Sequence, residues 1–174
     1  VNNNRILILF IDIICIKFIY KVIFIAFIIM HKTIQNLLSI ENKIQANLDN
    51  LNIINQTKII AVSKTFKMDK ILPLIEHGHA DYGENKVQEA VEKWTDIKAN
   101  NSNIKLHLIG KLQTNKVKFA VKLFDYIHSV DSVKLAQKIS DEALKINKKI
   151  KIFIQVNIGQ EVQKSGINQD HLDN

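Results

Sequence analysis

Arginine is almost absent from this chain: of 24 lysines and arginines, only Arg5 is an arginine. The formal net charge of +7 would suit a phosphate-rich partner. Sequence-reading interfaces, however, depend on the bidentate fork of arginine, which lysine does not reproduce. The one tryptophan, Trp94, and the scattered phenylalanines and tyrosines form no platform for stacked bases. Nucleic acid is therefore not an expected partner. The single cysteine, Cys15, excludes an internal disulfide and makes a reducing, cytoplasmic setting the default. With six dispersed histidines, no metal-ligand spacing appears, and no metal is expected. The glycine patterns G-x-G-x-x-G and G-x-x-x-x-G-K-[ST] are missing as well, which counts against the common nucleotide-binding open sheets.

A long unbroken hydrophobic run is also lacking. Ile6 to Met30 is strongly apolar, but Asp12, Lys17 and Lys21 divide it. Its longest uncharged piece, Val22 to Met30, has nine residues, against the ~20 that a membrane helix needs. A charge at mid-bilayer costs about 2.5–3.5 kcal/mol on insertion scales, so a membrane anchor is disfavoured, as is an extra helix packed on the domain. Arg5 could open a secretory signal, yet no A-x-A-like cleavage site follows it. The composition changes abruptly at Met30, and amphipathic organisation begins directly after it. Residues 1–29 are accordingly expected to be an apolar leader outside the functional domain, which would occupy residues 30–174.

What is present is a βα rhythm. Thr33 is placed to cap a helix in which Ile34, Leu37, Leu38, Ile44 and Leu48 share a face. Short apolar runs then recur at Ile59–Ser63, Ala80–Gly83, Leu106–Gly110, Tyr126–Val130 and Ile152–Asn157. Runs this short suit strands buried on both faces. Between them, Val87, Ala90, Val91 and Trp94 follow the spacing of one helical face. Val117, Ala120, Val121 and Phe124 repeat it, and Ala136, Ile139, Ala143 and Ile146 give a third face with Ser132 as its cap. Asp69–Glu76 ends at a glycine stop, His77-Gly78, with Pro73 tolerable only near the first turn. A helix followed by five βα-like units implies a parallel α/β architecture. Periodicity alone does not separate an open doubly wound sheet from a barrel. A complete eight-fold (β/α) barrel typically needs about 250 residues, and this chain has 174.

In parallel α/β folds the chemistry gathers beyond the carboxyl ends of the strands. That edge carries Ser63-Lys64-Thr65, Gly83-Glu84-Asn85, Gly110 with Gln113-Thr114-Asn115-Lys116, Ser129 with Asp131, and Asn157 with Lys164-Ser165-Gly166. A lysine leaving a buried strand is expected against an apolar interior, where desolvation favours the neutral amine. A neutral amine attacks aldehydes to form Schiff bases. By placement alone, snorkelling to solvent is the favoured reading of Lys64, Asn85 and Asn115 could be helix caps, and Lys116 could be a solvated surface charge.

Six segments, taken in order, resemble one family. They are Ile60-Ala61-Val62-Ser63-Lys64-Thr65, Tyr82-Gly83-Glu84-Asn85-Lys86-Val87-Gln88-Glu89-Ala90 and His107-Leu108-Ile109-Gly110-Lys111-Leu112-Gln113-Thr114-Asn115-Lys116, then His128-Ser129-Val130-Asp131, Gln155-Val156-Asn157 and Lys164-Ser165-Gly166-Ile167. Together they are similar to the pyridoxal phosphate homeostasis proteins, whose fold is like the N-terminal barrel of alanine racemase. The resemblance covers roughly residues 33–170.

It implies an incomplete (β/α) TIM-type barrel, about five of eight units with an N-terminal helix. It also implies a protein that buffers or delivers the cofactor rather than an enzyme. Lys64 would hold pyridoxal 5'-phosphate as a Schiff base, Asn85, Asn115 and Lys116 would line the pocket, and Ser129 and Asn157 would lie near the ring. The family's phosphate-binding loops fall in the last third of the barrel, so the chain is expected to be a C-terminally truncated front part. Partners so implied are the cofactor, the apo enzymes that would receive it, and a separately encoded remainder of the barrel. An amino-acid racemase would need a second acid/base and a further domain. The other alternative is a fragment that is non-functional or acts only in interaction.

Overall fold

A computed structural model of the chain describes residues 31–54, 57–159 and 165–169. The expected leader 1–29, with Arg5 and Cys15, lies outside the described residues, as does Lys164. The chain divides into two units, Val1–Asn55 and Gln56–Asn174. In the first, helix α1 spans Lys32–Asn50. Its N-cap is His31 rather than Thr33, because the helix opens earlier than the apolar pattern does. The His31 Nδ1 accepts the Thr33 N–H at 3.2 Å and lies 2.9 Å from the Thr33 hydroxyl. No helix among the described residues is long and apolar enough to cross a membrane.

The second unit is built on strands β1 (Ala61–Val62), β2 (Asp81–Glu84), β3 (Lys105–Leu108), β4 (Tyr126–Val130) and β5 (Lys151–Ile154). All pairings are parallel, and the spatial order is β1-β2-β3-β4-β5. Helices α2 (Met68–Glu76), α3 (Val87–Asn100), α4 (Val117–Leu123) and α5 (Val133–Lys145) follow the first four strands. A doubly wound sheet reverses its strand order at a switch point. Here the order rises without reversal, which is the winding of a (β/α) barrel. The strand order thus separates two architectures that periodicity left open.

Local chemistry explains the helix ends. At the end of α2, Gly78 takes φ +97°. Its N–H donates to Ile75 O at 2.9 Å, and the His79 N–H donates to Leu74 O at 2.9 Å, the paired bonds of a Schellman stop. Pro73 falls in the second turn of α2 rather than the first, so the helix forgoes one internal N–H bond there. Ser132 caps α5 as expected, its hydroxyl accepting the Leu135 N–H at 3.4 Å.

The expected faces of α3 and α4 are buried through Val87, Ala90 and Trp94 and through Val117, Ala120, Val121 and Phe124. On α5 the buried face is Leu135, Ile139, Glu142 and Ala143, turned from the expected one. Ile146 is exposed because the helix ends at Lys145.

The two faces of the sheet differ in chemistry. Tyr82 packs on Trp94 of α3, ring centroids 4.8 Å apart. The register Tyr82↔Leu106, Glu84↔Leu108 and Leu108↔Ile127 therefore carries an apolar layer toward the helices. Alternation places Asp81 and His107 on the opposite face. There His107 Nε2 lies 2.9 Å from Asp81 Oδ1, and His107 Nδ1 lies 3.0 Å from His128 Nε2. A carboxylate only accepts, so His107 donates from Nε2 to Asp81. His107 stacks on Tyr126 at 4.2 Å, and His128 stacks on Phe153 at 4.4 Å. Burial, followed by the neighbouring His107, lowers the pKa of His128 below its ordinary value.

Candidate functional site

Because every strand is parallel, the residues that follow them collect on one rim, and a line of hydrogen bonds stitches that rim together. The Ser63 N–H donates to Gly83 O at 2.9 Å, and the Ser63 hydroxyl donates to Glu84 Oε1 at 2.8 Å. The Ile109 N–H donates to Glu84 O at 2.9 Å, and the Ser129 hydroxyl donates to Gly110 O at 2.7 Å. Further on, the Gln155 N–H reaches Val130 O at 2.8 Å, the Asn157 N–H donates to Ile167 O and the Ile167 N–H donates to Gln155 O, the last two at 2.9 Å. Gly110 sits where only glycine fits. A Cβ there would lie 2.3 Å from Asn85 O and 2.8 Å from Asn85 Cα. The ends of β2 and β3 therefore approach more closely than any side chain allows.

Each expected site residue stands on this rim, in different settings. Asn85 and Lys116 line one cavity of about 480 Å³, together with Lys86, Lys111 and Gln113. That size suits a small ligand. Lys86 is paired with Glu89 at 2.6 Å, and Lys111 Nζ donates to Ser165 Oγ at 3.0 Å. Asn115 is exposed in the 3₁₀ turn Thr114–Lys116 that leads into α4. Ser129 is buried, with its hydroxyl committed to Gly110. Asn157 is half-buried. Lys64, Asn115, Ser129 and Asn157 do not line the cavity that Asn85 and Lys116 share.

Lys64 departs from expectation. Its side chain is exposed rather than set against an apolar interior. In a closed barrel the far wall covers the inner ends of the strands, and the five described strands form an open sheet. Its neighbours show the same openness: Val62 and Phe66 are exposed, as are Ile152, Phe153 and Ile154 of β5. Among the described residues the Lys64 amine has no hydrogen bond or ion pair.

The sequence reading set Glu84 beyond its strand and Trp94 only on a helical face, and it gave Lys93 no part. Glu84 belongs to β2 rather than to the loop after it, and it is wholly buried. It receives Lys93 Nζ and Trp94 Nε1 from α3, each at 2.9 Å. A carboxylate inside a buried strand, with a lysine and an indole one helical face later, was the available signal. Among the described residues no group of three or more His, Cys, Asp or Glu is placed to hold a metal ion.

Singly wound parallel strands, with polar side chains gathered beyond their carboxyl ends, define the front of a (β/α) barrel of the kind that takes small ligands at that edge. The chain belongs to the alanine racemase N-terminal domain family, whose model matches residues 41–174. Within the family it is similar to the pyridoxal phosphate homeostasis protein of Haemophilus influenzae, 35% identical over 118 residues, 68% of this chain and 50% of that one. The corresponding protein of Buchnera aphidicola from Schizaphis graminum is 38% identical over 133 residues, 76% of this chain and 58% of the relative. The structure of PipY from Synechococcus elongatus with pyridoxal phosphate (PLP) bound superposes with a TM-score of 0.66 at 30% identity, covering 79% of this chain and 58% of that one. The chain spans about half the length of the curated relatives it matches.

Proposed function

We propose that this chain binds pyridoxal 5'-phosphate at the carboxyl rim of its sheet, through a Schiff base on Lys64. Its role would be to hold and hand on the cofactor rather than to turn over a substrate. The observation that carries the reading is the place of Lys64: an amine directly beyond the first strand, on the rim where the carboxyl ends of the parallel strands meet, open to a ligand there and held by no ion pair among the described residues. An ion pair would have to be broken before such an amine could reach an aldehyde.

The residues present suit the cofactor. The cavity beside the rim is lined by the lysines 86, 111 and 116, by the amides of Asn85, Gln88 and Gln113, and by the carboxylate of Glu89, which engages Lys86 and leaves Lys111 and Lys116 as the cations for an anionic ligand. Lys116 and Asn115 would face the ligand from the turn after β3, and Ser129 and Asn157 from the far strands. When bound, the cofactor supplies an electrophilic carbonyl, and the protein supplies its orientation and electrostatics. The PLP-bound PipY structure and the names of the curated relatives support the same assignment. They also support a homeostasis protein over a racemase. Delivery would bring the chain against apo enzymes that use the cofactor.

Borohydride trapping tests the reading. The full chain is mixed with pyridoxal phosphate, reduced and mapped by peptide mass, with Lys64→Ala as control. Selective labelling at Lys64 supports it. Labelling scattered over surface lysines and unchanged in the control would refute it. That outcome would favour the interaction-only reading, for which the exposed apolar β5 is the motivating observation.

A further inference from the structure

A charged cluster lies behind the rim, in the layer between β2 and α3. Glu84 Oε1 accepts three hydrogen bonds, from Ser63 Oγ at 2.8 Å and from Lys93 Nζ and Trp94 Nε1 at 2.9 Å. Its other oxygen, Oε2, is buried with no partner. Lys93 Nζ also donates to Ser63 O at 2.8 Å. A buried ion pair seldom stabilises a fold more than apolar residues of equal volume would. An orphaned buried carboxylate oxygen costs more still. The surrounding layer is otherwise apolar, so stability alone gives no reason for the cluster.

Its bonds share a target. Glu84 takes the hydroxyl of Ser63 and Lys93 takes its carbonyl, while the Ser63 N–H is held by Gly83 O at 2.9 Å. The Phe66 N–H returns to Ser63 O at 3.0 Å. Ser63 is thus fixed at its amide, its side chain and its carbonyl, and the next residue is Lys64.

We propose that Glu84, Lys93 and Trp94 are positioning residues for Lys64. The proposal rests on the cofactor reading above and deepens it. Lys64 is exposed and has no partner of its own among the described residues, so no wall aims its amine. Fixing Ser63 fixes the peptide plane between residues 63 and 64, and with it the direction in which the Lys64 side chain leaves the backbone. The same contacts occupy the amine of Lys93 with two acceptors, so it does not compete for an aldehyde. Misplacing a reacting group by about 1 Å costs up to about a hundredfold in rate.

The test compares full-length wild type with Lys93→Met, Lys93→Arg and Ser63→Ala. Lys64 labelling relative to surface lysines is read after pyridoxal phosphate and borohydride. Amide hydrogen exchange at residues 64–66 and the urea midpoint are measured alongside. Lys93→Met, which keeps the apolar stem, is expected to lower Lys64 selectivity about tenfold. It should also speed exchange at 64–66 while leaving β3 and β4 unchanged. Lys93→Arg retains donors for both acceptors and should restore both readings. Ser63→Ala leaves the Lys93–Glu84–Trp94 contacts in place, should give a smaller loss, and is read instead if Lys93→Met does not fold. Wild-type selectivity and exchange retained in the folded variant would overturn the proposal alone. A wild-type chain without Lys64 selectivity would overturn the cofactor reading and take this inference with it.

Discussion

Replacing Gly110 by alanine probes the closest approach on the rim. The new Cβ would meet Asn85 O at 2.3 Å, Asn85 Cα at 2.8 Å and Asn85 C at 2.9 Å. These are backbone atoms, so no rotamer change relieves the clash. Reaching ordinary contact requires the ends of β2 and β3 to part by about 1 Å. That movement stretches the Ile109 N–H···O Glu84 bond, now 2.9 Å, and displaces the carbonyl that accepts the Ser129 hydroxyl at 2.7 Å. Overpacking of this kind costs about 1–3 kcal/mol, and each hydrogen bond lost adds about 1 kcal/mol. The expected total is about 3–5 kcal/mol, against about 5–15 kcal/mol for a typical domain.

Gly78→Ala is the control. Gly78 has φ +97° but nothing within 4 Å of a Cβ, so only the dihedral is penalised, at about 1–2 kcal/mol. Urea unfolding of the full chain, followed by far-UV circular dichroism, reads both. With a slope of roughly 2 kcal/mol per molar, Gly110→Ala should lower the midpoint by about 2 M and Gly78→Ala by under about 1 M. Equal shifts, or a larger one at Gly78, would refute the close-approach argument.

The fold should also carry a pH signature. His128 has its pKa lowered by burial and by His107, so the native state keeps it neutral while the unfolded chain takes up a proton below about 6.5. This contribution to stability is therefore complete above that value and declines as the pH falls below it. Urea midpoints measured from about pH 7.5 to 5 should show the decline, and His128→Gln should flatten it; an unchanged slope would count against the Asp81–His107–His128 array as its origin. At the start of α5, Ser132→Ala removes a cap whose bond is long, 3.4 Å, so the expected cost is about 0.5–1 kcal/mol. Ser132→Asp should recover it in a thermal melt, and equal melting of all three chains would show that the cap contributes nothing.

Much of the architecture was legible in the residues, for physical reasons. Val117, Ala120, Val121 and Phe124 were found buried as spaced, because α4 is covered along its whole face. Strand β4 matched its expected bounds. The misses share a long-range cause. Glu84 reads as a strand end because a carboxylate in a buried strand looks unfavourable. What makes it tolerable is a serine 21 positions before it and a lysine and a tryptophan 9 and 10 positions after it. Lys64 reads as sheltered because its strand is apolar, but shelter depends on an opposing wall, which no local pattern reports. The motifs on the rim could be found in order, yet only the fold tells that Asn85 and Lys116 share a cavity and that the Ser129 hydroxyl is occupied by Gly110.

The position of Trp94 has an optical consequence. It is the chain's one tryptophan, fully buried, with its indole N–H on the carboxylate that grips Ser63. Indole emission responds to the polarity and hydrogen bonding of its surroundings, so light absorbed at the red edge of the spectrum, beyond the three tyrosines, is re-emitted from a single known place, next to the segment that carries Lys64. Loosening of that segment can be followed in the unmodified chain, without a dye or an engineered label.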